Sequence, residues 1–350
     1  MNGNNVMPWY EHAATSPDSA SLLAAQAHQS ILTKPSGALG VLETVAEQFA
    51  AWQGKVNPQL DNVAVRIFAG DHGVCAQGVS AFPQEVTVQM IANFCAGGAA
   101  ISVLSAEAGA DLSVINMGVA NPLMSSDGVI DVQLMAGTHD FTEQPAMTMD
   151  IVFSAMAAGA AQVPSNAQLC IGGEMGIGNT TSASAIYCAL LSVDPVITVG
   201  PGAGVDERGV HKKQAVIAKA LALHSAHLDN PLAILRCLGG LEIAALTGFY
   251  IASAQAGIPA LVDGSISTAA ALLACRINPS VRAWLLFAHE SAEPAHKIAL
   301  NVLDATPLLN LGMRLGEGSG AALAVGLLRS ALALHNNMAT FEQAGVSSAQ

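Results

Sequence analysis

The chain has 350 residues, of which 52% are apolar and only 11% charged, with a net charge of −13. A chain of this length and composition can bury a large core, and it reads as globular, with one large domain and a smaller companion. Its thirteen lysines and arginines are scattered rather than striped, which argues against nucleic acid, and Arg236, Glu242 and Arg329 cut the longest apolar tracts short of eighteen uninterrupted residues, which argues against a membrane span.

The opening thirty residues are polar and predict a helical arm. They lack a basic start followed by an apolar core, so no export signal is read and the cytoplasm is the expected compartment. The turn "TKPSGALG" follows, then a helical "VLETVAEQFAAW". From residue 63 short apolar runs suited to buried parallel strands recur, each emptying into a small or polar cluster. "VAVRIFA" leads to "GDHG", "LSVINM" to "GVANP", "QLCI" to "GGEMGIGNTTS", "VITVG" to "PGAGVDE", "ALV" to "DGSIS" and "AWLLFA" to "HESAE". Between them run helix-forming segments such as "ASAIYCALL", "KKQAVIAKALALH", "LEIAALTGFYIASAQA" and "SGAALAVGLLRSALALH". This rhythm predicts an α/β fold with a parallel sheet flanked by helices. In such a sheet the ligand crevice lies beyond the carboxyl ends of the strands, so the polar clusters are expected to converge on one site.

"GGEMGIGNTT" follows a strand and opens a helix, so its backbone N–H groups form a natural anion seat, although tight backbone packing explains such a turn equally well. Gly176 and Gly178 lack the full dinucleotide spacing, and no G-x-x-x-x-G-K-[ST] loop occurs. Lys212 and Lys213, after "PGAGVDERGVH", could supply a cation, or simply a solvated face. His72 and His289 sit at strand ends and His224 and His227 are spaced i, i+3, but there is no H-E-x-x-H and no C-x-x-C among the six cysteines, so neither a metal site nor a disulfide frame is predicted.

Taken together, "TKPSGALGVLE", "GDHGV", "GGEMGIGNTTSASA", "LGGLEIAALTG", "VDGSISTAAALLA", "HESAE" and "MRLGEGSGAALA" resemble the nicotinate-nucleotide–dimethylbenzimidazole phosphoribosyltransferase family, which activates the lower ligand of cobalamin. The likeness runs from about residue 28 to 338. It implies a Rossmann-like domain over 61–305, a smaller helical domain built from segments 1–60 and 306–350, a homodimer, and neither metal nor cofactor. It also implies the reaction: phosphoribosyl transfer from nicotinate mononucleotide to 5,6-dimethylbenzimidazole, or to adenine, another benzimidazole or a phenol. A glycohydrolase using the same acid on water is the rival within enzymes.

The resemblance casts Glu317, alone among glycines in "RLGEGSG", as general base, and Glu174 as a second acid near the ribose. Gly176, Lys213 and Arg314 are cast as phosphate donors, with Gly178 in the same turn. Asp263 and Gly264 are placed beside the sugar and ring, Ser291 as a polar contact, and Met175, Leu315 and Gly316 around the flat acceptor. Ser80 and Gln89 complete the acceptor side. The chain departs from the family pattern at Ala38 and Phe82, each standing where a serine can occur, and the register of Gln89 is open by one position.

Overall fold

A computed structural model describes residues 7–202 and 204–347 of the protein. The first six residues of the expected N-terminal arm, Ala203 of the "PGAGVDE" loop and the last three residues lie outside the described residues.

Two helices, α1 (Ser19–Ile31) and α2 (Val41–Gln53), precede the first strand, β1 (Val63–Gly70). Then come α3 (Glu85–Cys95), α4 (Ala100–Glu107), β2 (Asp111–Gly118), β3 (Val129–Asp131), α5 (Met149–Ala160) and β4 (Leu169–Met175). The central helices are α6 (Asn179–Leu191), α7 (Pro195–Thr198), α8 (Glu207–His224), α9 (Pro231–Leu238) and α10 (Leu241–Gln255). The chain finishes with β5 (Ala260–Val262), α11 (Ser265–Ile277), β6 (Leu285–Phe287), α12 (Pro294–Val302), α13 (Ser319–Asn337) and α14 (Phe341–Ala344).

The six strands form one sheet, parallel throughout, in the order β3-β2-β1-β4-β5-β6. That is a doubly wound, Rossmann-like order, and it reverses direction between β1 and β4, where such sheets open a crevice. Every residue of β1 is buried, as a strand covered on both faces requires. Five of the six expected strands form. The sixth, "VITVG", does not: Asp194 caps the segment through the N–H of Val196 and Pro195 presets its first turn, so it folds as α7. In its place the edge is taken by β3, three partly exposed residues too short to leave an alternating signature.

Helices cover both faces of the sheet. α10 packs on α5 at near-contact distance because Gly159 and Gly248 oppose backbone: a Cβ on Gly159 would stand 2.6 Å from the carbonyl carbon of Ala245, and one on Gly248 equally close to that of Met156. The two chain ends meet. Gln29 on α1 donates to Nδ1 of His335 on α13 (2.8 Å), Leu32 bridges Thr340, and Lys34 pairs with Glu43 at 2.9 Å in a half-enclosed setting. Arg329 on α13 donates to the carbonyls of Leu60, just before β1, and Ala108, just after α4.

One stretch of the described residues, Glu85–Glu107, has the length and hydropathy to cross a membrane. It is folded as α3 and α4 with a break at residues 96–99, and neither helix approaches the roughly 20 residues a crossing needs. All six cysteines are free, Cys95 exposed and the others buried or half-buried.

Candidate active site

At the carboxyl ends of β4, β5 and β6 lies a cavity of about 370 Å³. Three helices, α6, α11 and α13, open at this end of the sheet from glycine N-caps, Gly178, Gly264 and Gly318, and none of these glycines has a side chain to satisfy the first-turn N–H groups. Helices α1, α5, α8 and α9 begin instead on Asp18, Thr148, Asp206 and Asn230, each accepting from its own first turn. Their glycine starts bring positive dipole ends to one place, and the first-turn N–H groups of α6 and α11 have no side-chain cap of their own.

One end of the cavity suits an anion. Lys213 on α8 is buried with 1% exposure and donates to Oγ1 of Thr180 on α6 (2.8 Å). Burial pushes its ammonium down to about 8, partly opposed by Glu293. A buried cation with one neutral partner is under-satisfied and favours an arriving negative charge. Gly202 is clamped between Glu293, which accepts from its N–H (3.1 Å), and Arg314, which donates to its carbonyl (3.1 Å). Gly176 and Gly178 line the cavity, yet both have a packing reason to be glycine: a Cβ on Gly176 would collide with the carbonyl of Gly70, and one on Gly178 would stand 2.7 Å from Sγ of Cys75.

The other end is apolar, walled by Val79, Phe82, Val86, Met90, Met175 and Leu315. Ser80 also lines it, but its Oγ accepts the N–H of Phe82 (3.1 Å) in its own turn. Gln89 is not brought in. It is exposed on α3, and the residues that face the cavity are Val86 and Met90, one helical turn apart. Met90, one position on, lines the cavity instead.

Between the two ends stand the acids. Glu317 follows Gly316 and precedes Gly318 in a turn whose three residues have φ of +88°, +66° and +86°. Left-handed backbone is natural for the glycines and unfavourable for Glu317, which marks a position imposed by its surroundings. Its side chain is 7% exposed, and Oε2 has no hydrogen-bond partner among the described residues. Burial, with the Asp263 carboxylate nearby, raises its carboxyl from the usual 4.5 to about 6. Glu174, at the end of β4, is also buried and accepts from the amide of Asn179. Burial, then the charges of Glu242 and Asp263, hold it well above the usual carboxylate range.

Asp263 does not face the cavity, contrary to expectation. It is 1% exposed and turned behind the Glu317 loop, where Oδ2 accepts from Gly318 N–H (3.1 Å) and Oδ1 from Ala321 N–H (2.9 Å). Gly264 and Ser291 do line the cavity. Ser291 N–H donates to Nδ1 of His296, whose Nε2 then meets Thr268 (2.9 Å), so this loop is fixed by a histidine that burial pushes down to about 3 and keeps neutral.

The sequence reading missed what lies beneath. His72 and Glu242, both fully buried, pair at 2.7 Å, and Thr87 Oγ1 donates to Asp71 (2.7 Å) while accepting from Ile177 N–H (3.2 Å). The second of these links fastens the glycine turn after β4 to α3. Among the described residues no three His, Cys, Asp or Glu gather as a metal-holding group.

A phosphoribosyltransferase family model matches residues 14–346. The nicotinate-nucleotide–dimethylbenzimidazole phosphoribosyltransferase of Pseudomonas aeruginosa is 54% identical over 345 residues, 97% of this chain and 98% of its own. The Xanthomonas oryzae pv. oryzae protein of the same name is 55% identical over 97% of this chain and 99% of its own. The crystal structure of CobT from Thermus thermophilus superposes with a TM-score of 0.89 at 42% identity, covering 94% of this chain and 100% of that one.

Proposed function

The chain belongs to the nicotinate-nucleotide–dimethylbenzimidazole phosphoribosyltransferase family, and on that premise we propose how its site moves a phosphoribosyl group from nicotinate mononucleotide to 5,6-dimethylbenzimidazole, giving α-ribazole 5′-phosphate and nicotinate for cobalamin assembly. The observation that carries the reading is Glu317: a carboxyl with one unpartnered oxygen, set between an apolar slot and a cationic seat.

The donor's 5′-phosphate takes the α6 N-terminus, Lys213 and Thr180, with Arg314 at the rim. Its pyridinium-type ring leaves C1 as a neutral pyridine nitrogen, taking the bonding pair, so the leaving group needs no acid. The acceptor is the harder partner. One ring nitrogen attacks C1 from the opposite face, inverting β to α, while the other nitrogen gives its proton to Glu317, which thereby opposes the charge growing on the ring. Glu174, which lines the same cavity and is kept in its protonated form by burial, stands as a hydrogen-bond donor toward the ribose rather than as a charge. Two flat rings held in line supply much of the rate. The apolar walls favour a dimethylated bicycle over adenine, whose amine and ring nitrogens would lose water there without finding partners.

The same reading keeps the helical unit of residues 1–60 and 306–350 as a small domain beside 61–305, supported by the α1–α13 contacts. It also places the protein in the cytoplasm, where six free cysteines are at home, as a homodimer for which Leu23, Ile31 and Val41 leave apolar surface.

Two results are expected. Lys213→Ala should weaken donor binding by about 1.5–3 kcal/mol, the worth of a charge-assisted bond, and acceptor binding much less; equal losses in a titration of each ligand would count against the phosphate seat. The pH profile of kcat should fall on its acid side with a midpoint near 6, because Glu317 accepts a proton only when ionised and its raised carboxyl is protonated below that pH. A midpoint at the ordinary 4.5 would contradict the assignment. Incubation with nicotinate mononucleotide and a panel of bases, with products identified by mass, tests the reaction itself.

A further inference from the structure

Asp263 follows β5, Glu317 stands just before α13, and His289 follows β6, so three strand-end or helix-start elements meet at one buried carboxylate. Its two oxygens are divided between two N–H groups of the same turn, Gly318 and Ala321, which flank the first residues of α13. These are helix-start donors that no side chain of the helix itself satisfies. Asp263 thus caps α13 from another element. By holding Gly318, the residue next to Glu317, it opposes relaxation of the left-handed backbone that presents the base.

His289 backs the arrangement. It is 2% exposed, its Nε2 lies 3.7 Å from Oδ1 of Asp263, and its Nδ1 has no hydrogen-bond partner among the described residues. Its ring fills the space over Gly320, where a Cβ would stand 2.6 Å from Nε2 and 3.0 Å from Oδ1 of Asp263. Glycine at 320 is therefore required for the histidine to reach the carboxylate.

We propose that Asp263, seated by His289 across Gly320, is the positioning residue that fixes Glu317 in its turn and sets the field in which Glu317 works as a base. The inference rests on the reading of Glu317 as base. Asp263 does not touch substrate on this account; it acts through the backbone of residues 318–321 and through its charge.

The charge makes a distinctive test. Glu317 faces Asp263 from the end of β5, His289 from the end of β6 and Glu174 from the end of β4, with Lys213 and Glu293 across the cavity and Arg314 on its own loop. Burial does most to raise Glu317, and the charge of Asp263 raises it further. Asp263→Asn keeps the shape, loses one N–H contact and removes that charge. It should lower kcat at least 30-fold, change donor binding less than 3-fold, and move the acid side of the pH profile toward lower pH. A merely structural role would reduce active protein without moving the profile. The acceptor's own ionisation is common to all variants, so a difference between profiles belongs to the protein.

His289→Gln leaves both N–H contacts in place and serves if Asp263→Asn does not fold. It should lower kcat about 5- to 20-fold at unchanged donor binding. Glu317→Gln is measured in parallel. If that variant is fully active, the base assignment fails; if it is inactive while Asp263→Asn keeps kcat within 3-fold and an unmoved profile, the positioning role fails alone. Should Asp263→Asn not fold, native kcat in His289→Gln overturns the proposal.

Discussion

Glu317→Gln is expected to lower turnover with dimethylbenzimidazole by roughly 10²- to 10⁴-fold, the usual range for loss of a general base. Glutamine keeps the size of the side chain and can still lie in the same turn, but it cannot take a proton from the distal nitrogen of the acceptor. Folding should be close to native. The native carboxyl is buried without a partner for one oxygen, so its removal takes away an unfavourable burial as well as a function. Donor binding should persist, because the proposed phosphate seat is Lys213, Thr180 and Arg314 rather than Glu317. The leaving ring departs without help, so any slow release of nicotinate to water should decline less than transfer does. Kinetics at saturating donor and acceptor, beside a donor titration, check both parts. Native turnover in this variant, with chemistry shown to limit the rate, would move the base to another acid, Glu174 first.

The second large effect is expected at a residue with no side chain. Gly173 on β4 lies against the backbone of the catalytic turn: an added Cβ would stand 2.7 Å from the carbonyl carbon of Glu317 and 3.1 Å from the nitrogen of Gly318, and nearer still to the Glu317 carbonyl oxygen. All three are main-chain atoms, so no flexible side chain can give way. Gly173→Ala should therefore either push the turn outward or strain the sheet. Overpacking of this kind costs about 1–3 kcal/mol, visible as a lower Tm. A displacement of about 1 Å at the reacting groups is enough to cost roughly 10²-fold in rate. Thermal denaturation and kcat measured on one preparation check it. A variant with native Tm and native kcat would show that the turn is not seated on β4 as described.

These two positions show where sequence was legible and where it was not. The strand-then-cluster rhythm located five strands, because buried parallel strands are read from continuous apolar runs; the clusters after β4, β5 and β6 line the cavity, whereas "GDHG" and "GVANP" do not. "VITVG" has the same composition, but Asp194 and Pro195 in front of it make a helix start, a local rule that outweighed β propensity over so short a run. At the site, Glu317 stood out by its isolation among glycines, while Lys213 and the glycine turn were singled out by the family resemblance. Gln89 did not follow: its chemical type suited the acceptor side, and a one-residue difference in helical phase put Met90 there instead. Asp263 sits in a legible motif, yet its work is to cap a helix some 55 residues further along, and no spacing rule reaches across that distance. The His72–Glu242 pair, 170 residues apart, was hidden for the same reason. Motifs report residues that meet ligand through one loop. Residues that hold such loops from behind are assembled by topology.

The most direct measurement is of the product. Purified protein is incubated with nicotinate mononucleotide and 5,6-dimethylbenzimidazole, and the mixture is resolved by chromatography with mass detection and proton NMR of the ribosyl C1 position. The expected result is one new species with the mass of ribazole 5′-phosphate in the α configuration, formed in step with free nicotinate and absent without the base. Nicotinate accompanied by ribose 5-phosphate, with no ribosylated base at any acceptor concentration, would contradict the transferase and leave a hydrolase in its place.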